Sequence, residues 1–172
     1  MKTPSIRYPA LLGVLFCIVM MAVALGLEHI GGYEPCPLCV FQRVAVIATG
    51  IVLLLAALHD PAGRTGKVIY GIVGLLTAGA GAFIAGRHVW LQSLPADEVP
   101  TCGPGLDYMM DILPMQDVVA MVLTGSGECA EIDFTLLGLS LPAWTLIGFG
   151  LLLLIPLRMI ILAPQRAMLF SG

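Results

Sequence analysis

Four long, nearly uncharged stretches constrain this chain more than any other feature. Tyr8–Leu27 carries no charged side chain, and Cys39–Leu58 carries only Arg43, close to its start. Val68–Gly86 carries none, and Leu141–Leu162 carries only Arg158, near its far end. About 20 apolar residues in a helix cross a bilayer core, where a helix satisfies its own backbone groups without water. The 172 residues are 59% hydrophobic and 11% charged, whereas soluble domains are about a quarter charged. Too little polar surface remains to clothe these helices in water. The expected fold is an all-α membrane protein, a four-transmembrane-helix bundle forming a single membrane domain over 1–172. Its spans lie near 8–27, 39–58, 68–86 and 141–162, with outer loops at 28–38 and 87–140. The lipid bilayer is therefore a partner. No basic run interleaved with aromatics is present, so no nucleic acid is expected.

The spans differ in character. Gly71, Gly74, Gly79 and Gly81, with Ala78 and Ala82, give the third span small residues that let helix backbones approach closely in lipid. That span is expected at the centre of the bundle. In the fourth, Pro142 suits a helix start and Pro156 suits a kink, while Arg158 can snorkel to the headgroups. A cleaved signal is a rival for the first span, with Lys2 and Arg7 before it and Ala22-Val23-Ala24 as a small-residue site. The uncharged run continues to Leu27, longer than a usual signal core, and favours an uncleaved helix.

Basic residues set the orientation. Lys2, Arg7, Arg64, Lys67, Arg158 and Arg166 fall with the two termini and the 59–67 connection; Arg43 and Arg87 fall opposite. The positive-inside rule puts both termini in the cytoplasm. Cys36, Cys39, Cys102 and Cys129 then lie on the outer face, where disulfides persist. These four can pair in three ways, and spacing does not choose among them. Cys17, in mid-span, reads as a small buried hydrophobe.

The segment "GGYEPCPLCVFQR", Gly31–Arg43, holds the chemistry of the first outer loop. Pro35 or Pro37 suits a helix start, where the missing N–H would be unpaired in any case. Cys36 and Cys39 then sit at the first turn, where free N–H groups and the helix dipole favour a thiolate. Arg43 lies four residues after Cys39 and shares its helix face. Its guanidinium stays charged and stabilises an anion formed beside that thiol. Zinc is the competing use of a Cys-x-x-Cys pair. Cys102 and Cys129 stand far apart, however, and the histidines lack metal-site spacing, so no metal is expected.

The second outer segment is too long for a turn and is rich in proline and acids. Cys102 in "VPTCGPG" is expected on an exposed loop. Cys129 lies in "GSGECAE", and Met115–Leu123 between them is apolar enough for a short helix on the membrane surface. A Cys102–Cys129 bond that merely staples this loop would contribute about 4 kcal/mol. His88 and Gln92 are four apart and can face the same way as a hydrogen-bonding pair, but a histidine at the membrane interface is expected simply to be solvated.

"PCPLCVFQR", "RHVWLQ", "PTC", "SGECAE" and "GLSLPAW" together resemble, in order and spacing, the DsbB family of inner-membrane disulfide-generating proteins. The resemblance covers nearly the whole chain. It implies a protein of the bacterial inner membrane, with periplasmic redox loops, that reoxidises a periplasmic DsbA-like thioredoxin-fold partner. It implies that two electrons pass to a membrane quinone, ubiquinone or menaquinone. On this resemblance Cys102 is the sulfur the partner attacks and Cys129 its disulfide mate. Cys36–Cys39 is the second disulfide, with Cys39 facing the quinone, and Arg43, His88 and Gln92 lie near the quinone ring. A DsbA-kind partner is a known strong oxidant, at about -120 mV, so a terminal acceptor must withdraw its electrons. Two features depart from the family pattern: Arg87 stands where members can carry an acid, and Pro37 lies within the Cys-x-x-Cys.

Two other readings make different demands. A vitamin K epoxide reductase-like protein would carry its helical Cys-x-x-Cys late in the chain, whereas this one comes first. A non-enzymatic membrane scaffold with two structural disulfides would hold those bonds unchanged when offered reduced partner and quinone.

Overall fold

A computed structural model of the chain describes residues 5–95, 97–100, 106–132 and 134–163. Among them are four helices long and apolar enough to cross a membrane: α1 (Arg7–His29), α2 (Pro37–His59), α3 (Arg64–Gln92) and α7 (Leu141–Ile161). Three short helices, α4 (Leu106–Ile112), α5 (Met115–Thr124) and α6 (Gly127–Ala130), follow α3. A two-stranded antiparallel hairpin, β1 (Thr135–Leu136) and β2 (Leu139–Ser140), then leads into α7. The protein is a four-helix membrane bundle. Large apolar side chains such as Leu12, Leu55, Leu76 and Leu154 are exposed on its helices, as lipid-facing positions must be.

The sequence places α3 at the centre, and it packs along both α7 and α2. Gly71 and Gly74 receive Pro156 of α7, whose carbonyl oxygen lies 3.0 Å from where a Cβ on Gly71 would stand. Gly81 receives the ring of the fully buried Phe149. Pro156 is thus a packing element, since small residues on the facing helix leave space for its ring. Helix α3 runs one to two turns past the expected span end at 86, so Arg87, His88 and Gln92 are helical and not part of the loop expected over 87–140.

At the end of the bundle away from the Cys-x-x-Cys pair, Asp60 closes α2 with a left-handed backbone (φ 37°). Its carboxylate accepts the Ser5 hydroxyl at 2.8 Å and the Ile6 N–H at 3.2 Å. One acid therefore ties the start of α1 to the α2–α3 turn, satisfying an N–H that the helix start leaves unpaired. His59 and Tyr70 brace the same turn, Nδ1 to hydroxyl, at 3.1 Å.

A second apolar cluster sits at the opposite end. Leu38, between the two cysteines of the pair, packs with Leu91, Met109, Val118, Val122 and Cys129. Val118 and Val122, one turn apart on α5, turn inward, while Met115 and Met121 are exposed. The expected short helix is present, and its inward face is what fastens the long segment onto the start of α2.

Candidate functional site

Local chemistry fixes the first two thiols. Pro37 keeps the preceding residue out of helical backbone, and Cys36 accordingly caps α2 in an extended conformation (φ -66°, ψ 162°) with Pro37 opening the helix. Cys39 follows one turn later, and the two sulfurs lie 3.2 Å apart. Cys36 thus stands off the helix end, open to a sulfur from another element.

That sulfur belongs to Cys129. Ser126 caps the four-residue α6 in extended backbone, and the Cys129 N–H donates to the Ser126 carbonyl at 2.9 Å. This tight turn buries Cys129 beneath the apolar cluster. Its sulfur, the sulfur of Cys36 and a ring nitrogen of His88 all lie within 4.8 Å of one another. Cys36 therefore has a sulfur on either side, Cys39 and Cys129, so it can exchange one disulfide partner for the other. Cys102 lies outside the described residues, and with it the pairing Cys102–Cys129 implied by the family resemblance.

The Cys129 thiol is pushed up from the ordinary range, first by its hydrogen bond with Cys36 and then by burial. Both favour the protonated form. In the reduced protein, alkylation of Cys129 should keep climbing about tenfold per pH unit beyond pH ~8.5, where an unperturbed thiol levels off. Mass-spectrometric quantification of labelled Cys129 across pH 7–10 reads this directly. A plateau near the unperturbed value would show that the fold does not hold this proton.

His88 is buried and not solvated as sequence alone leads one to expect, and it does not pair with Gln92. Its Nδ1 lies 3.1 Å from the Gln42 amide and 3.9 Å from the Cys39 sulfur, and its Nε2 lies 3.7 Å from the Cys36 sulfur. Gln92 turns instead to the Glu131 carbonyl, at 3.3 Å. Its own amide oxygen is buried without a hydrogen-bond partner among the described residues. The reason is geometric: i and i+4 share a face, and that face meets α2 at His88 but the α6 end at Gln92.

Arg43 shares the Cys39 face as expected, but it forms an ion pair with Glu28 at the end of α1. It also donates to the Ala24 carbonyl at 3.4 Å. Arg87 is engaged at the end of α5. Its guanidinium donates to the carbonyls of Leu123 and Thr124 at 3.1 and 2.8 Å, and lies 4.2 Å from the Trp90 ring centroid. A cation at the carbonyl end of α5 complements the helix dipole and fixes the element that leads into Cys129.

Gln42 and Glu28 were missed from sequence. A signal existed for both: an amide in the second turn of an apolar span, and an acid at the end of one span facing the lone arginine of the next. Nothing local to Ser126 indicates its contact with Cys129, 3.6 Å from oxygen to sulfur.

Beside these groups lies a cavity of about 780 Å³. Met20, Met21, Ala24, Leu27 and Val46 give it an apolar wall, and Cys39, Arg43, His88 and Gln92 give it a polar edge. A chamber with an apolar wall and a polar edge fits a small lipid-soluble molecule, and the unpartnered Gln92 oxygen can accept a hydrogen bond from a donor on it.

The chain matches the family model for disulfide bond formation protein DsbB over residues 6–159. It is 55% identical to disulfide bond formation protein B of Chromohalobacter salexigens over 156 residues, 91% of each chain. It is 54% identical to the protein of that name from Acinetobacter baumannii, over 88% of each chain. With that from Methylococcus capsulatus the identity is 51%, over 87% of this chain and 90% of the relative.

Proposed function

The chain belongs to the DsbB family of membrane disulfide bond formation proteins, and on that footing we propose that it is a quinone-dependent thiol oxidase. In the net reaction a DsbA-like protein dithiol and a quinone become a protein disulfide and a quinol. The setting is the bacterial inner membrane, with termini in the cytoplasm and thiols on the periplasmic side. The observation that carries this reading is the position of Cys36, in reach of both Cys39 and Cys129 beside the cavity edged by Arg43.

Exchange proceeds by thiolate attack on a disulfide sulfur, with the other sulfur leaving. The partner's thiolate attacks Cys102 of a Cys102–Cys129 bond and releases Cys129. Cys129 attacks Cys36 of the Cys36–Cys39 bond and releases Cys39 at the cavity. The partner's second thiol closes its own disulfide and frees Cys102; Cys102 then attacks Cys129 of the Cys36–Cys129 bond and releases Cys36, which would close again with Cys39 as two electrons and two protons leave. When bound, the quinone supplies a two-electron, two-proton sink. Around that site Arg43 stabilises negative charge at Cys39, His88 holds a proton at a ring nitrogen, and Gln42 fixes the ring by its 3.1 Å contact. The apolar wall excludes water from the released thiolate.

The test mixes purified protein, a reduced DsbA-like partner and a ubiquinone or menaquinone analogue under anaerobic conditions, and follows quinone absorbance. Catalytic loss of absorbance that requires Cys39, read against Cys39→Ser, supports the oxidase. A folded protein inert toward both quinones is a scaffold. Arg43→Met should slow quinone reduction about a hundredfold while leaving the first exchange at Cys102 within about twofold. Equal loss in the two half-reactions would remove Arg43 from the quinone side.

A further inference from the structure

We propose that the fully reduced protein binds one zinc ion through Cys36, Cys129 and His88, with water in the fourth position. Sequence spacing argues against zinc, because Cys129 and His88 are remote from the Cys-x-x-Cys pair, but the fold removes that objection. Bonds of about 2.3 Å to sulfur and 2.0–2.1 Å to nitrogen place the ligand atoms of a tetrahedral zinc about 3.5–3.8 Å apart. Nε2 of His88 lies 3.7 Å from the Cys36 sulfur. The ligand atoms of Cys36, His88 and Cys129 all fall within 4.8 Å of one another.

The surroundings support a three-ligand site. His88 and Cys129 are 2% and 1% exposed while Cys36 is half-buried on the cavity, so three ligands come from protein and the fourth position opens to water. Gln42 contacts His88 Nδ1 at 3.1 Å. With its amide turned so that the oxygen accepts from Nδ1–H, Nε2 presents a lone pair to the sulfurs, the outer-shell arrangement zinc histidines use. Ser126 supplies a hydroxyl 3.6 Å from the Cys129 sulfur.

Zinc undergoes no redox change. It binds by displacing the protons of the two thiols, up to two per ion, and either a Cys36–Cys39 or a Cys36–Cys129 disulfide destroys the site. Binding does not require the oxidase reading. Its consequence does: sulfurs held as ligands are withdrawn from exchange, so zinc arrests the reduced enzyme.

The measurement is a zinc titration of reduced, detergent-solubilised full chain against a chromophoric chelator, with Co²⁺ substitution to read thiolate charge-transfer and tetrahedral d–d bands. One ion per chain is expected in the reduced protein and none in the oxidised protein. Cys129→Ala and His88→Ala should each weaken binding at least tenfold, and Gln42→Leu about tenfold; Cys17→Ala should bind as wild type. Folding of each variant is checked by helical circular dichroism. Zinc held equally well by both Cys129→Ala and His88→Ala would reduce the site to the Cys-x-x-Cys pair and overturn the proposal. Absence of binding by folded, reduced wild type would overturn it as well. Failure of quinone turnover with zinc binding intact would sink the oxidase reading alone.

Discussion

Serine in place of Cys129 is expected to cut turnover with a reduced protein dithiol to about a thousandth of wild type, the scale on which losing one member of a concerted set acts. Quinone reduction driven by a small dithiol acting directly at Cys36–Cys39 should survive within a few fold. The split follows from the geometry. Cys129 is buried against Cys36 and far from solvent, so its function is to pass a bond inward to Cys36. Serine keeps the size and the contact with Ser126 but cannot form a disulfide. A small reductant bypasses the gap because Cys36 is only half-buried and lines the cavity. Stopped-flow quinone absorbance with the two reductants separates the cases. Preserved turnover with the protein partner would make Cys129 a structural thiol, and loss of both reactions would implicate it in the quinone site or in folding.

The second large effect concerns the bundle. Gly81→Ala should destabilise the protein by about 1–3 kcal/mol, the usual cost of overpacking a filled core, read as a lowered Tm in detergent by helical circular dichroism. A single Cβ there runs into the Phe149 ring, which is fully buried and has nowhere to retreat. Gly79→Ala, two residues earlier on the same helix, is the contrast. Nothing lies within 4 Å of its new Cβ, so the substitution should be neutral or stabilising through alanine's better helix propensity. Equal responses at the two sites would mean that α3 and α7 do not approach as described.

This pair of glycines marks where sequence stops. All four glycines of the third span read alike as small positions, and only the placement of α7 separates Gly71, Gly74 and Gly81, which receive side chains, from Gly79, which faces open space. The same division runs through the site. The chain by itself determined its four apolar helices, because hydrophobicity and backbone hydrogen bonding act over one helix at a time. It determined the helix start at Cys36–Pro37, because proline restricts its immediate neighbour. The shared face of Cys39 and Arg43 was likewise legible from helical periodicity.

Tertiary packing decided the rest. It brought Cys129 beside Cys36, turned His88 to Gln42 and the sulfurs, sent Gln92 to the α6 end, and set Glu28 against Arg43. None of these pairs has a spacing that announces it. Each depends on which faces of α1, α2 and α3 meet, and on Leu38, Val118 and Val122 fastening the long segment over the start of α2. Apolar contacts of that kind are non-directional and satisfied by many partners in sequence, so the register that gathers three sulfurs and an imidazole emerges only when the whole cluster is packed.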